Sequence, residues 1–406
     1  MRSKSGRAAF LPLLLLLLFP CLFSVCLAEA PAEEITDLAL ITAGSGQRRL
    51  HYATDGDYRS RWEGSAGEDC YLQVDLEGGE ACGAVWLQWY GESHPWQVQA
   101  EIRGEWQTLV SSDTGYFSDV LVLPLPMTHF RIRTADGGDS VMPVAELRLF
   151  SPGPLPESVQ VWRPTVEKAS LMLIACHPDD EVLWFGGTLA TYAGELGMDV
   201  LVCTLSPSAA WRKLELLDCL WTCGVRTYPV WADMIDIKTQ SLQAQYRIWD
   251  KDTLQELFTL WYRKYRPEVV LTHDIRGEYG HGGHRVCADM AIGALEWASD
   301  PNMFPESKAK WGLWDVPKLY LHLYRENRVT LRWDRPLEAF GGKSGLEVAK
   351  EAFLCHKSQQ TGFAVRDSGP YSCTEFGLYR SLVGPDIRGN DFYENLPFSE
   401  CFEVTE

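Results

Sequence analysis

The chain has 406 residues and carries 55 acidic against 37 basic side chains, a formal net charge of −18 at neutral pH. That excess excludes a general nucleic-acid binder, which needs a basic face to displace counterions, and leaves a neutral or cationic partner such as a sugar easier to accept. The length suffices for two ordinary domains once an N-terminal leader is set aside.

Arg2, Lys4 and Arg7 precede an uncharged run, Ala8–Ala28, centred on the six leucines Leu13–Leu18. It reads as a secretory signal with small residues for cleavage after Ala28 or Ala30. The run is also long enough to span a bilayer, so an uncleaved anchor is the rival; Pro20 and the segment after it favour cleavage. An exported protein, secreted or at the cell surface, is expected. No later run is long and apolar enough to cross a membrane. The cysteines beyond the leader show no CxxC spacing for zinc and no dense framework. Cys70 and Cys82 flank a turn and either pair or stay as free buried thiols.

Residues 35–150 read as short strands with frequent turn signals: Tyr71–Leu76, Ala84–Tyr90, Trp96–Ile102, Val120–Leu125, Phe130–Arg133 and Ala145–Phe150. Gly78-Gly79 and Gly137-Gly138 punctuate them, at the spacing of an antiparallel sandwich. The stretches LHYATDGDYRSRWEG, DCYLQVDLEGG and WQVQAEIRGEWQTL resemble a discoidin (coagulation-factor type C) domain. The resemblance implies a β-sandwich jelly roll whose loops bind carbohydrate or other surfaces. Asp55, Gly56, Trp62 and Asp75 match its structural positions. Tyr58, His94, Trp96 and Tyr116 lie near loops and are the candidate aromatic platforms for a sugar face, each with a core role as the plainer alternative.

Three prolines and a glycine within 151–158 predict a short stiff linker, allotted residues 151–165. From Leu171 strands alternate with helices, so residues 166–406 are expected to form an α/β, Rossmann-like domain with a mostly parallel sheet. The strands are Leu171–Cys176, Val200–Leu205, Thr227–Val230, Val269–Thr272 and Lys318–Tyr324. The helices are Val182–Gly197, Ala209–Cys223, Asp250–Tyr265, His281–Ser299 and Gly345–Gln359.

Two clusters follow predicted strands. One is His177, Asp179, Asp180 and Glu181; the other runs from Thr272-His273-Asp274 to Tyr279, His281 and His284. In an open α/β sheet strand ends meet at one edge, where ligands bind. His281 and His284 fall at i, i+3 on a helical first turn and face the same way. Any one of these histidines alone is more often a turn or core residue, and adjacent acids are usually a solvated helix start. Two such clusters together point to a divalent metal, with three protein ligands and one open position.

The strand ending in A-C-H-P-D-D-E, with the later T-x-D-x-x-G-x-Y-G-H-x-x-H, resembles the PIG-L (LmbE-like) deacetylases. Arg212-x-x-Glu215 with Gly224-Val225, and Ala352-Phe-Leu-Cys-His356-Lys-Ser358-Gln359, are similar to further family stretches. The resemblance covers about residues 168–360 and implies a metal-dependent hydrolase, zinc or else Fe²⁺ or another divalent ion, that removes acetyl groups from N-acetylglucosaminyl compounds. On the matching positions it implies His177, Asp180 and His284 as metal ligands and Asp179 as the general base. His281 would serve the developing oxyanion or the leaving amine, and Tyr279 would donate to the acetyl carbonyl. Arg212 would bind substrate oxygens, with a surface pair to Glu215 as the alternative. Asp274 and His356 would orient ligands or line the pocket, and Glu181 would settle the first turn of its helix. Where many members have H-P-D-H this chain has His281-Gly-Gly-His284, which loses an acid but keeps the ligand spacing. The expected function is an exported deacetylase of an N-acetylated amino sugar. The alternatives are a carbohydrate-binding surface protein with an inactive α/β domain, or an amidase acting on a non-sugar amide.

Overall fold

The computed structural model describes residues 30–207, 209–360 and 362–397; the expected leader, residues 1–28, lies outside the described residues. Among the described residues no helix is long and apolar enough to cross a membrane.

The N-terminal part is antiparallel throughout. Its strands are β1 (Ala39–Ala43), β2 (Trp62–Gly64), β3 (Tyr71–Leu76), β4 (Cys82–Trp89), β5 (Trp96–Ile102), β6 (Glu105–Ser112), β7 (Ser118–Met127), β8 (His129–Thr134) and β9 (Met142–Phe150). They form two sheets, ordered β1-β3-β8-β5-β6 and β2-β9-β4-β7. The strict alternation of β3 buries Leu72, Val74 and Leu76, which join Phe130 and Ile132 of β8 and Val85 and Leu87 of β4 in one core. β1, β2 and β6 escape the sequence reading. β6 follows β5 through Arg103 and Gly104, both at positive φ (57° and 83°), a two-residue turn that suits the strand twist.

Of the four candidate sugar platforms, three are otherwise engaged. Trp96 is fully buried, donates to Asp119 Oδ2 (2.9 Å) and meets Trp89 edge-on. Tyr58 donates to Asp218 Oδ2 (2.8 Å), and Tyr116 stacks on Tyr228 with ring centroids 3.7 Å apart. Both therefore face the C-terminal part, and His94 alone remains half-buried beside a loop. Cys70 and Cys82 are free buried thiols that contact different carbonyls, Ser140 O and Ala84 O.

The C-terminal part is built on β10 (Leu171–Ala175), β11 (Val200–Thr204), β12 (Val230–Trp231), β13 (Val269–Thr272), β14 (Lys318–His322), β15 (Arg328–Thr330) and β16 (Glu375–Ser381), in the order β12-β11-β10-β13-β14-β16-β15. The sheet is parallel from β12 to β14, and β16 returns antiparallel beside β14. Every residue of β10, β11 and β13 is buried, because helices cover both faces and the strands need apolar side chains on each. From β10 the chain builds outward to β11 and β12, then crosses to β13 on the other side. The order reverses there, and the crevice beyond the strand ends is the natural ligand position.

Two helices differ from expectation. Val182–Gly197 is not continuous: a turn of helix at Asp180–Leu183 gives way at Gly186 (φ 53°) to a wider coil over Ala190–Glu195. A Cβ at Gly187 would come within 2.9 Å of the Gly345 backbone, so the break lets the helix Gly345–Phe353 approach. That helix is opened by a capping box between Ser344 and Glu347. It stops at Phe353 instead of reaching Gln359, because His356 turns inward to Glu181 and Ser358 donates from its N–H and hydroxyl to Glu215. The helix Lys251–Tyr265 is as read, with Asp250 accepting from Thr253 N–H at 2.8 Å.

The 151–165 segment is packed down rather than spanning open space. Ala32 N–H donates to Pro154 O, Trp221 Nε1 to Glu157 O and Gln160 Nε2 to Asp218 Oδ1 (2.6 Å). Asp218 thus takes donors from the linker and, through Tyr58, from the sandwich. Burial pushes its carboxyl up to about 6 and that of Glu146, which accepts from Gly56 N–H, up to about 7. A carboxyl whose folded pKa is raised contributes stability that is present below its unfolded value and lost as pH rises through the folded one. Between pH 4 and 7.5 these two groups should therefore lower thermal stability as pH rises. Melting profiles of wild type, Asp218→Asn and Glu146→Gln over that range should show a shallower decline in the variants, and equal slopes would contradict this.

Candidate metal centre

β10 is apolar because it is central, and it ends where the chain must leave the sheet. Cys176 and His177 follow, and Asp179 makes the turn at φ 124°, an unusual conformation for a residue with a side chain. The turn folds Asp180 back so that its Oδ2 accepts from His177 N–H at 2.7 Å. On the neighbouring strand's side His281 precedes the helix Gly282–Trp297 and His284 sits in its first turn. The two faces expected from i, i+3 spacing do meet, but His281 arrives as the helix cap: its Nδ1 accepts from Gly283 N–H at 3.2 Å.

Three donor atoms form a nearly equilateral triangle. His177 Nδ1 lies 3.2 Å from Asp180 Oδ2 and 3.4 Å from His284 Nε2, and His284 Nε2 lies 3.4 Å from Asp180 Oδ2. Tetrahedral coordination with bonds of about 2.0–2.1 Å requires edges of about 3.3–3.4 Å, so the triangle fits a small divalent cation with its fourth position open. Cys176 Sγ belongs to the same close group and stands 3.4 Å from His177 Nε2, the ring nitrogen outside the triangle. Burial drives its thiol well above the ordinary value, which disfavours the thiolate that a metal needs.

Beneath the triangle lies the fully buried carboxylate of Glu278. Its Oε2 takes His284 Nδ1 (2.6 Å) and His273 Nδ1 (2.9 Å), and its Oε1 takes His322 Nδ1 (2.6 Å) and the N–H of Asp274 (3.2 Å). Burial works to raise its pKa, and the imidazoles overcome this and hold it well below the carboxylate range. The tautomer of His273 follows from its partners: Nε2 accepts from Cys176 N–H (3.0 Å), so the proton on Nδ1 goes to Glu278. His284 likewise donates from Nδ1, which leaves the Nε2 lone pair directed into the triangle. Asp180 is treated the same way. Burial opposes its charge, His284, His273 and His177 favour it, and it stays well below its ordinary value; Trp184 Nε1 donates to its second oxygen at 2.6 Å.

Asp179 stands beside the triangle without joining it. Burial, then the charge of Asp180, pushes its carboxyl well above the ordinary value, and Arg212 opposes the shift from 3.8 Å. Its backbone is fixed by Glu181, which accepts from Asp179 N–H (2.8 Å) and from His356 Nε2 (2.6 Å). Glu181 therefore does settle the first turn of its helix, by accepting from the N-cap N–H, but it does so fully buried and not at a solvated helix start. His356, expected to line the pocket or orient a ligand, is also fully buried, and its Nε2 is bonded to Glu181. Arg212 does not pair with Glu215. Its guanidinium donates to Pro178 O (2.6 Å) and to Asp236 Oδ2 (3.1 Å), and the other oxygen of Asp236 is 3.6 Å from His177 Nε2.

His281 is held neutral, its pKa pushed down to about 3 by burial and then by His284 and His177. Because Nδ1 is occupied as an acceptor, the ring proton sits on Nε2. Tyr279, at φ 47°, sets its ring 5.7 Å from that of His281, and burial followed by Asp180 keeps its hydroxyl protonated. Trp184, Phe363 and Tyr371 continue this aromatic wall. Asp274 accepts from Arg276 N–H and borders a cavity of about 670 Å³ together with Tyr324, Arg328 and Tyr371.

Glu278, His322 and Asp236 were not picked out from sequence. A histidine inside the otherwise apolar strand β14 was a usable sign for His322, since a ring buried there must find polar partners. Asp236 lies in the Trp231–Trp249 stretch, whose course no pattern reveals.

Residues 172–295 match the family model PIG-L, GlcNAc-PI de-N-acetylase. Over 272 residues it is 29% identical to 1D-myo-inositol 2-acetamido-2-deoxy-alpha-D-glucopyranoside deacetylase 1 of Catenulispora acidiphila, covering 60% of this chain and 75% of that one. A protein of the same description from Rhodococcus opacus, without the final numeral, is 30% identical over 179 residues, 37% of this chain and 60% of its own length. Among solved structures, N,N'-diacetylchitobiose deacetylase from Pyrococcus horikoshii aligns with 19% identity and a TM-score of 0.36, over 47% of this chain and 71% of that one.

The buried charge network yields a prediction. Glu278→Ala would leave three imidazole N–H groups facing a cavity and should destabilise the fold by about 3–5 kcal/mol. Glu278→Gln, which keeps part of the acceptor set, should lose less. Urea unfolding of both variants measures the difference, and two wild-type midpoints would refute the network's role.

Proposed function

We propose that this chain is a metal-dependent deacetylase that hydrolyses the N-acetyl group of an amino sugar, and that its metal is zinc. The observation that carries the reading is the donor triangle of His177, Asp180 and His284 with the unligated carboxylate of Asp179 beside it. The PIG-L match over residues 172–295 and the relatives described as deacetylases of a 2-acetamido sugar support the same class of reaction. Fe²⁺ or another divalent ion is the alternative for the metal.

When bound, such an ion lowers the pKa of water and polarises an acyl oxygen. The rest falls to the chain. Asp179 takes the proton of the attacking water, a duty that needs the carboxylate form; positive charge at the triangle favours that form, against the burial that opposes it. His281 Nε2–H and the Tyr279 hydroxyl are the donors for the oxygen that becomes negative as the tetrahedral centre forms. The proton held by Asp179 then passes to the departing amine, giving acetate and the free amino sugar. Arg212 and Asp236 on one side, and the cavity beside Asp274 on the other, offer hydrogen-bonding groups for sugar hydroxyls.

We further read residues 35–150 as a discoidin-type module, residues 151–165 as the linker and residues 1–28 as an export signal that places the protein outside the cytoplasm. The inactive-domain alternative finds no missing ligand or base to support it. A different amide as substrate is the surviving rival, and acetate release decides it. Purified protein loaded with zinc should release acetate from N-acetylglucosamine conjugates. Asp179→Asn should keep its metal and lose turnover by about 10²–10⁴-fold. Metal analysis alongside the acetate assay separates the two effects, and a variant retaining most of its activity would exclude the proposed base.

A further inference from the structure

The loop from 231 to 241 carries Asp236 to the metal centre, and its entry is held from outside the α/β part. Phe117, on the turn before β7, is almost fully buried against Trp231, ring centroids 5.3 Å apart and edge to face. Its N–H donates to the Tyr228 hydroxyl at 2.8 Å, while the preceding Tyr116 stacks on the same ring. Lys213 extends between the two halves. Its Nζ lies 4.7 Å from the Phe117 ring and 4.9 Å from that of Trp231, and pairs with Asp233 Oδ1 at 2.6 Å. Asp233 has φ 51°, so the loop bends at the residue that Lys213 grips. Three residues on, Asp236 Oδ2 accepts from Arg212, the residue next to Lys213 on the same helix, and its Oδ1 places a negative charge 3.6 Å from His177 Nε2. At the far end Thr239 O accepts from Gly282 N–H, in the first turn of the helix that carries His284.

We propose that the N-terminal sandwich is part of the metal centre, with Phe117 as a positioning residue. By fixing Trp231 and the Lys213 ammonium it sets where Asp236 stands, and Asp236 in turn holds the Arg212 guanidinium and sets the charge beside the His177 ring. Such outer partners of a metal-ligating histidine govern affinity for the ion as well as rate. The sandwich acts here through a phenyl ring and a backbone N–H, without touching substrate. The inference rests on the deacetylase reading for its turnover arm only.

The test uses the full-length chain and zinc alone as the probe, in chelator competition. Phe117→Ala and, from the other side of the contact, Lys213→Met should each weaken zinc binding roughly tenfold and lower kcat/KM for acetate release. Phe117→Leu should recover most of both. Tyr58→Phe, which loosens the same interface away from the loop, should change neither, even where its melting temperature falls as much. Asp236→Asn combined with Phe117→Ala should bind zinc no more weakly than Asp236→Asn alone. Wild-type zinc affinity in both Phe117→Ala and Lys213→Met, or additive losses in the double variant, would overturn the inference while leaving the deacetylase reading standing. A wild-type chain that binds no divalent metal would overturn both.

Discussion

The constraint on which the centre depends is the burial of one negative charge, Glu278, beneath three imidazoles. A carboxylate with no solvent contact is costly unless every lone pair is met, and here the acceptor capacity is filled by His273, His284, His322 and a backbone N–H. The arrangement settles which nitrogen of His284 is free and so directs a lone pair at the donor triangle. It also joins β13, β14 and the helix Gly282–Trp297 through a single side chain. The reversal of strand order brings these elements together; the buried charge fixes the orientation of what they carry.

A second buried pair, Glu181 with His356, does for Asp179 what Glu278 does for His284. The two aspartates are adjacent in sequence and opposite in circumstance. Asp180 is surrounded by imidazoles that favour its charge, whereas Asp179 is desolvated and lies next to a like charge. Neighbouring carboxyls pushed apart in this way can divide ligand and proton-transfer duties between them. Arg212 tempers the difference from behind while holding the Pro178 carbonyl, so the strained turn at Asp179 is braced on its outer side.

Much of this was legible in the residues. The continuous apolar run Leu171–Cys176 ending in His-Pro-Asp-Asp marked a buried strand that brings His177 and Asp180 to the candidate centre, and the spacing of His281 and His284 marked a second arm. Period-two alternation located β3, and Asp250 marked a helix start. What escaped shares a physical reason. His322 reaches Glu278 across 44 residues, and Glu278 meets its nearer partners, His273 and His284, in an irregular turn; no local period encodes either. The interruption at Gly186 depends on how closely Gly345 approaches, which is a packing fact. Tyr58 and Tyr116 looked like exposed loop aromatics because the sequence of one module does not show that another covers it. The docked face of the sandwich and the Trp231–Asp236 entry are legible only together.

His281 caps a helix with the same nitrogen whose occupancy decides where its proton resides. Rotating the ring would forfeit the cap and reverse donor and acceptor at one stroke, so the N–H of Gly283 acts as a lock on the ring's chemical form. Fraying of that first turn and loss of the fixed Nε2–H donor are then a single event. That ring form lasts no longer than the interval between local openings of the helix start, a clock that amide exchange at Gly283 would keep.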